Sequence, residues 1–267
     1  MAILNQNADR FLRGKHAIVT GASRGIGAAI AATLARLGAD VTIMSRNEAA
    51  LRQQAEALKT NYGGKVEVAP LDVGEPAQIA AAFATAAERL GPARILVNNA
   101  GIAAAAPIGR TALADWQHLM QVNVTAPFLC IQAVMPGMAK ADYGRIINVA
   151  STAGLTGYAY CAAYCAAKHA LIGLTRALAR ELARGAVTVN AVCPGYTDTD
   201  IVAQAVGNIV SKTGRSQHDA LSELTAHNPQ GRLIKPEEVA ETVGWLCAPS
   251  SGSVTGQSIL VDGGELM

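Results

Sequence analysis

The chain has 267 residues, of which 22 are Lys or Arg and 20 are Asp or Glu, so its formal net charge is +2. That balance excludes a strongly basic nucleic-acid binder, and an aromatic content of 4% leaves little for a base-stacking platform. With 51% apolar and 16% charged residues, the chain can bury a large core, which excludes global disorder.

Short apolar runs alternate with amphipathic stretches from end to end. The pattern predicts a strand at 16–20, a helix at 25–37 stopped by Gly38, a strand at 41–45 and a helix at 48–60. A third strand is predicted at 66–71, a helix at 76–90 with Pro76 in its first turn, and a fourth strand at 95–98. A long helix follows at 113–139, with an irregularity expected near Pro127 or Pro136. Then come a strand at 145–149, a second long helix at 160–183, a strand at 187–193, a helix at 237–246 and a last strand at 258–261. Repeated strand–helix units with apolar strands predict an α/β doubly wound fold, a parallel sheet covered by helices on both faces. The exception to the rhythm is 197–229, a longer and more polar stretch carrying Lys212, Arg215, His218 and Asp219. It is either a lid over a ligand site or a variable surface loop with some helix.

No unbroken apolar run reaches the roughly 18 to 20 residues that span a bilayer. Residues 1–10 are polar and lack the apolar core of a signal peptide. The expectations are therefore a cytoplasmic location and neither membrane nor nucleic acid as a partner. The five cysteines (Cys130, Cys161, Cys165, Cys193 and Cys247) are odd in number and sparse, so ordinary thiols are expected. The five histidines form no metal-binding pair, and no metal is expected.

Between the first strand and first helix lies Thr20-Gly-Ala-Ser-Arg-Gly-Ile-Gly27. Gly21, Gly25 and Gly27 remove Cβ atoms where the chain turns tightly and a pyrophosphate approaches backbone. The helix then begins with unsatisfied N–H groups and the positive end of its dipole aimed at the anion. A dinucleotide fold normally places an acid at the end of the second strand, on the ribose 2′-hydroxyl. Here Ser45-Arg46-Asn47 stands there, and Arg24 lies in the glycine loop. Two arginines converging on that corner suit a 2′-phosphate and favour NADP over NAD.

Tyr164 and Lys168 are four apart on a predicted helix and share a face, while Ser151 follows the fifth strand at the carboxyl edge of the sheet. A phenol titrates near 10, and a neighbouring ammonium lowers that value by stabilising phenolate. Tyr164 is then a candidate acid or base toward an alcohol or alkoxide, and Ser151 a hydrogen-bond donor to the same oxygen.

With these motifs, the chain resembles the short-chain dehydrogenase/reductase family along nearly its whole length. The resemblance rests on the glycine loop, Asn98-Asn-Ala-Gly101, Ser151, Tyr164-x3-Lys168, Pro194-Gly195 and the tail Thr255-Gly-Gln-x3-Val-Asp-Gly-Gly264. It implies a single Rossmann-type domain over 1–267, with seven parallel strands and 197–229 as a substrate lid. It implies hydride transfer at nicotinamide, with Tyr164 as acid/base, Ser151 orienting the carbonyl and Lys168 also binding the nicotinamide ribose. Asn123 matches the family asparagine that holds a water in a proton relay. Gly21, Ser23, Arg24, Gly25, Ile26, Gly27, Ser45 and Arg46 would bind the phosphates, and Asp72 and Val73 the adenine. Asn99, Ala100 and Gly101 would line the groove, and Pro194, Gly195, Thr197 and Thr199 would border the nicotinamide.

Within the family, the chain is most similar to 3-oxoacyl-thioester reductases and 3-hydroxyacyl dehydrogenases. Lys212 and Arg215 are candidate contacts for a pantetheine or coenzyme A phosphate, or else solvated lid charges. The resemblance further implies a homotetramer, one interface formed by the two long helices and another by the last helix and strand. The alternatives are an NAD-linked catabolic alcohol dehydrogenase and a nucleotide-binding scaffold without turnover.

Overall fold

The computed structural model describes residues 10–267, apart from the side chains of Asn208 and Lys212. The polar opening stretch therefore lies outside the described residues except for Arg10.

The strands are β1 (His16–Thr20), β2 (Asp40–Ser45), β3 (Val66–Pro70), β4 (Ile95–Asn98), β5 (Gly144–Val149), β6 (Val187–Pro194) and β7 (Ser258–Val261). They form one seven-stranded sheet in the order β3-β2-β1-β4-β5-β6-β7, with every pairing parallel. The helices are α1 (Gly25–Arg36), α2 (Glu48–Tyr62), α3 (Pro76–Leu90), α4 (Leu113–Met120), α5 (Ala126–Met138), α6 (Ala162–Glu181), α7 (Asp200–Thr213), α8 (Gln217–Thr225) and α9 (Pro236–Leu246).

Because side chains alternate along a strand, each central strand feeds two cores. Ala17, Val19, Ile95, Val97 and Ile147 pack with Ile30 and Leu34 of α1, Leu51 and Leu58 of α2, and Val239 and Val243 of α9. Their neighbours Ile18, Leu96 and Ile146 pack on the other face with Ile79 and Phe83 of α3 and Cys130, Ile131 and Val134 of α5. Each fully buried side chain of this kind contributes about 1.5–3 kcal/mol. The turn after α1 shows the local logic. Gly38 adopts φ +100° and donates to Ala35 O at 2.9 Å, while Ala39 donates to Leu34 O at 3.0 Å, which closes the helix and launches β2.

The first long helix is continuous over Leu113–Met138 but widens to a π turn at Gln121–Thr125. Pro127 has no N–H to offer the Asn123 carbonyl four residues back, so the bonding frame shifts there. Pro136 sits in the last turns of α5 without such an interruption. This helix also corrects an expectation. The helix is 26 residues long and holds an 18-residue stretch of mean hydropathy 1.3, so by length and composition it could cross a membrane. Counting unbroken apolar runs missed it, because isolated polar residues interrupt the run but not the average. In this fold Ala126, Cys130, Ile131, Val134 and Met138 of that helix are buried on the sheet and α3.

The stretch 197–229 holds two helices, α7 and α8. Val202, Val206 and Ala220 form a small core of their own with Tyr196, Ile209 and Leu224 against them. The i, i+4 spacing of Val202 and Val206 was the sequence signal for this helix.

Candidate active site

Parallel pairing brings the C-terminal ends of all seven strands to one edge, and the chain changes direction between β1 and β4, where a crevice forms. The loops at that crevice are stitched together. Thr20 Oγ1 accepts from the backbone N–H groups of Asn99 and Ala100, both at 3.1 Å. Asn99 Nδ2 donates to the carbonyls of Thr20 at 2.9 Å and Gly21 at 3.2 Å. Gly21 has φ +66°, and a Cβ there would lie 2.9 Å from Ala100 Cα. At Gly27 a Cβ would lie 2.3 Å from the Gly21 carbonyl oxygen. Gly21 and Gly27 are thus required by backbone contact.

At the N-terminus of α1, Arg24 gives no side-chain cap, and the first turn carries no acidic residue. Its N–H groups therefore face the crevice side of the glycine loop uncapped, with Ser23 and Ile26 partly buried beside them. At the end of β2, the buried Ser45 Oγ has no partner. Arg46 is exposed and only loosely paired, its Nη1 3.8 Å from Asp72 Oδ2. Asp72 is fixed by accepting the Gly74 N–H at 2.8 Å, and Val73 lines a recess with Thr20, Asn98 and Ala100. An uncapped helix end, an unpartnered hydroxyl and an exposed, loosely paired guanidinium along one groove fit a dinucleotide carrying an extra phosphate.

Arg24 Nη1 pairs with Asp200 Oδ2 at 2.8 Å, on the first residue of α7. Asp200 sits far along the sequence, so the competing partner was invisible locally. Thr199 touches the same loop, its Cγ2 3.3 Å from where a Cβ on Gly25 would be. The root of α7 is built from a ladder: Thr197 Oγ1 donates to Gly195 O at 3.0 Å, and Thr199 Oγ1 to Thr197 O at 3.2 Å. Pro194 ends β6, and Gly195 N–H donates to Val261 O at 3.1 Å. Arg215, a candidate phosphate contact or else a solvated lid charge, is exposed and pairs with Glu223 of α8. The side chain of Lys212 lies outside the described residues.

Ser151 follows β5 and caps a short 3-10 turn, its Oγ accepting from Ala153 N at 3.1 Å. Tyr164 stands in the first turn of α6, half-buried, with the Ser151 hydroxyl near enough to favour its phenolate form. One turn on, Lys168 is buried, with its Nζ 5.7 Å from the Tyr164 ring centre and donating to Val149 O at 3.0 Å. Burial pushes the Tyr164 phenol up to about 12, against the Ser151 hydrogen bond, which favours phenolate. Burial likewise lowers Lys168 to about 8. The expected acidification of Tyr164 by the Lys168 ammonium is therefore absent from this arrangement: desolvation outweighs it. Sequence spacing placed the two side chains but could not supply their burial.

Asn123 lies within the π turn and is buried. Both of its amide protons are used: Nδ2 donates to Ile102 O at 3.0 Å and Leu119 O at 3.1 Å, while Oδ1 accepts from Ile102 N at 3.3 Å. It thereby pins the Asn98–Gly101 loop to the long helix. Gly101 is packed against it, since a Cβ there would lie 2.8 Å from Asn123 Oδ1 and 3.6 Å from Lys168 Nζ.

Sequence reasoning missed one cluster at this edge. Thr152, Tyr158 and Glu265 are joined through the Tyr158 hydroxyl, and the Tyr196 ring meets Tyr158 edge-on at 6.3 Å. Glu265 directly follows the Val-Asp-Gly-Gly tail, and Asp262 of that tail turns the chain back by accepting from Gly264 N and Leu266 N, both at 3.0 Å.

The model of the family described as short chain dehydrogenase matches residues 15–209. The chain belongs to the short-chain dehydrogenase family. The 3-oxoacyl-[acyl-carrier-protein] reductase of Pseudomonas aeruginosa is 41% identical over 256 residues, 96% of this chain and 99% of that protein. The D-beta-hydroxybutyrate dehydrogenase of Rhizobium meliloti is 35% identical over 252 residues, 94% of this chain and 98% of the relative. Among solved structures, the actinorhodin polyketide ketoreductase with NADPH superposes with a TM-score of 0.90 at 38% identity, covering 94% of this chain and 97% of its own. Membership makes the chain an oxidoreductase by family, and its sheet order is that of a Rossmann-type fold.

Proposed function

We propose that this protein interconverts a ketone and a secondary alcohol with NADP(H), on a 3-oxoacyl or 3-hydroxyacyl compound or a related carbonyl. The observation that carries this reading is the gathering of Ser151, Tyr164 and Lys168 at the carboxyl edge, beside the uncapped start of α1. The nicotinamide, when bound, gives or accepts the hydride. Tyr164, held at about 12 by burial, stays protonated at neutral pH and is poised to donate to an oxygen that gains charge. Ser151, whose hydroxyl acts on the same phenol, is placed to donate to that oxygen. Lys168 near 8 keeps its ammonium at neutral pH and is placed to hold the nicotinamide ribose.

For the proton supply, Asn123 Oδ1 accepts from Ile102 N and keeps a second acceptor position with which to hold a relay water. The preference for NADP rests on Arg46 and the unpartnered Ser45 hydroxyl, with Arg24 contributing on leaving Asp200. NADPH in the ketoreductase structure and the name of the Pseudomonas relative support the cofactor and the substrate class. The same reading carries a single catalytic unit with α7 and α8 as its lid. It also carries a homotetramer, since Leu113, Trp116 and Phe128 stay exposed on the long helix and Trp245 and Leu260 on α9 and β7.

The test is NADPH oxidation with a panel of 3-oxo esters and thioesters, run with wild type and Tyr164→Phe. The variant should bind NADPH and lose about 10²- to 10⁴-fold in turnover, the contribution of a positioned general acid. Near-normal turnover in the variant would remove Tyr164 from its role.

A further inference from the structure

The turn that carries Ser151 is bonded end to end. Ser151 Oγ accepts from Ala153 N at 3.1 Å, and the Ser151 carbonyl accepts from Gly154 N at 2.9 Å. The Thr152 carbonyl then accepts from Leu155 N at 2.9 Å and from Thr156 N at 3.1 Å. Thr152, Ala153 and Gly154 are all buried. A push on Gly154 is therefore passed on to Ser151, because the two residues are tied directly to each other.

This turn sits on the main chain of α6. A Cβ on Gly154 would lie 2.9 Å from the Lys168 carbonyl oxygen, 3.1 Å from the Lys168 carbonyl carbon and 2.7 Å from Ile172 Cδ1. Backbone conformation is not what calls for glycine here, since Gly154 does not take a positive φ. The approach of another element is. Ile172 Cδ1 is the tip of a side chain and can swing aside. The Lys168 carbonyl lies in the interior of α6, where helical hydrogen bonding holds it. Lys168 also meets the end of β5 through its Nζ, which donates to Val149 O at 3.0 Å. The segment 149–154 is thus fixed on Lys168 from both ends, the amine against Val149 and the main chain against Gly154, with Ser151 between them. Tyr164 rides on the same helix, one turn before Lys168.

We infer that Gly154 is a positioning residue for the reaction: by leaving no side chain between the Ser151 turn and the Lys168 main chain, it sets Ser151 at the depth from which its hydroxyl reaches the same substrate oxygen as Tyr164. This rests on the carbonyl-reductase reading above. The Ala153 N–H occupies an acceptor position of Ser151 Oγ, so the hydroxyl proton stays available for donation. An alanine at 154 has to move from 2.9 Å to the ordinary contact range that begins at 3.4 Å from the Lys168 oxygen, so the turn withdraws by about half an ångström. A misplacement of about 1 Å costs about 10²-fold in rate, which makes about tenfold the expected loss for half of it.

The experiment measures kcat for NADPH-dependent reduction of 3-oxo esters in wild type, Gly154→Ala, Ser151→Ala and the double variant. Expressing kcat per NADPH-binding site, counted by titration, removes unfolded chains from the comparison. Gly154→Ala should lower kcat about tenfold and leave the Kd for NADPH within about twofold, because the glycine loop and Arg46 are untouched. In the Ser151→Ala background the same substitution should cost less than about twofold, since the group it displaces is already gone. A glycine needed only for folding would give equal losses in both backgrounds, and that result overturns the inference. Ile172→Val removes Cδ1 and with it the side-chain part of the crowding. Gly154→Ala placed on Ile172→Val therefore folds with less strain and should still lose about tenfold relative to Ile172→Val alone. Full turnover in that pair would show that Gly154 makes room for Ile172 and not for the Lys168 main chain, which also overturns the inference. Either overturning result leaves the reductase reading standing, whereas a wild type inert toward every ester removes both together.

Discussion

At the residue scale, burial decides the chemistry more than sequence neighbours do. Tyr164 and Lys168 are both shifted toward their uncharged forms by loss of water. Their spacing was visible in the sequence, but the sign of the Tyr164 shift was not. His16 shows the same principle at the opposite end of the sheet. Its Nδ1 lies 2.7 Å from Gly91 O, and a carbonyl only accepts, so the ring proton sits on Nδ1. Nε2 then accepts from Thr42 Oγ1 at 2.8 Å. A second proton would remove that acceptor inside a buried site, and desolvation accordingly lowers the His16 pKa from 6.5. With the folded value below the unfolded one, the unfolded state binds more protons as pH drops, so this contribution to stability is present above the unfolded pKa and lost as pH falls through the folded one. Unfolding free energy should therefore decline between pH 7 and pH 5, and His16→Asn should flatten that slope. Parallel wild-type and variant slopes in denaturant titrations would show that His16 is not the responsible group.

At the element scale, the strands and helices were legible because their periods differ and their ends are marked. β1, α3, β4 and β7 begin and end where the pattern put them. The irregularity expected near Pro127 is the π turn at Gln121–Thr125, whereas the α7–α8 pair stayed open in the sequence because it is held by a satellite core that includes Tyr196 from outside the helices. The glycine loop illustrates the limit of a motif. Its pattern announces a phosphate site, yet Gly27 is fixed by the Gly21 carbonyl and by Asn99 Nδ2, 2.4 Å from where its Cβ would lie. Both are rigidly placed, so Gly27→Ala should destabilise the fold by about 1–3 kcal/mol, the usual cost of overpacking. Chemical denaturation reads this directly, and an unchanged midpoint would mean that the loop yields without strain.

At the scale of the whole molecule, the cofactor groove spans loops from β1, β2, β3 and β4 and the root of α7, so ligand binding should be felt as global stability. NADPH at about 100 times its Kd should add about 2.7 kcal/mol to the unfolding free energy. NADH at the same concentration should add less, and Arg46→Ala should narrow the difference. Equal thermal shifts for the two cofactors in wild type would take the 2′-phosphate away from Arg46. The order of elements, the parallel sheet and the positions of Ser151, Tyr164 and Lys168 were set by local patterns that a linear chain displays: hydrophobic period, turn residues and i, i+4 spacing. The Arg24–Asp200 pair, the engagement of Asn123, the protonation of Tyr164 and the arrival of Glu265 at Tyr158 were decided only in the folded molecule. Each depends on distance and desolvation between residues far apart in sequence, and neither quantity exists until the chain has packed.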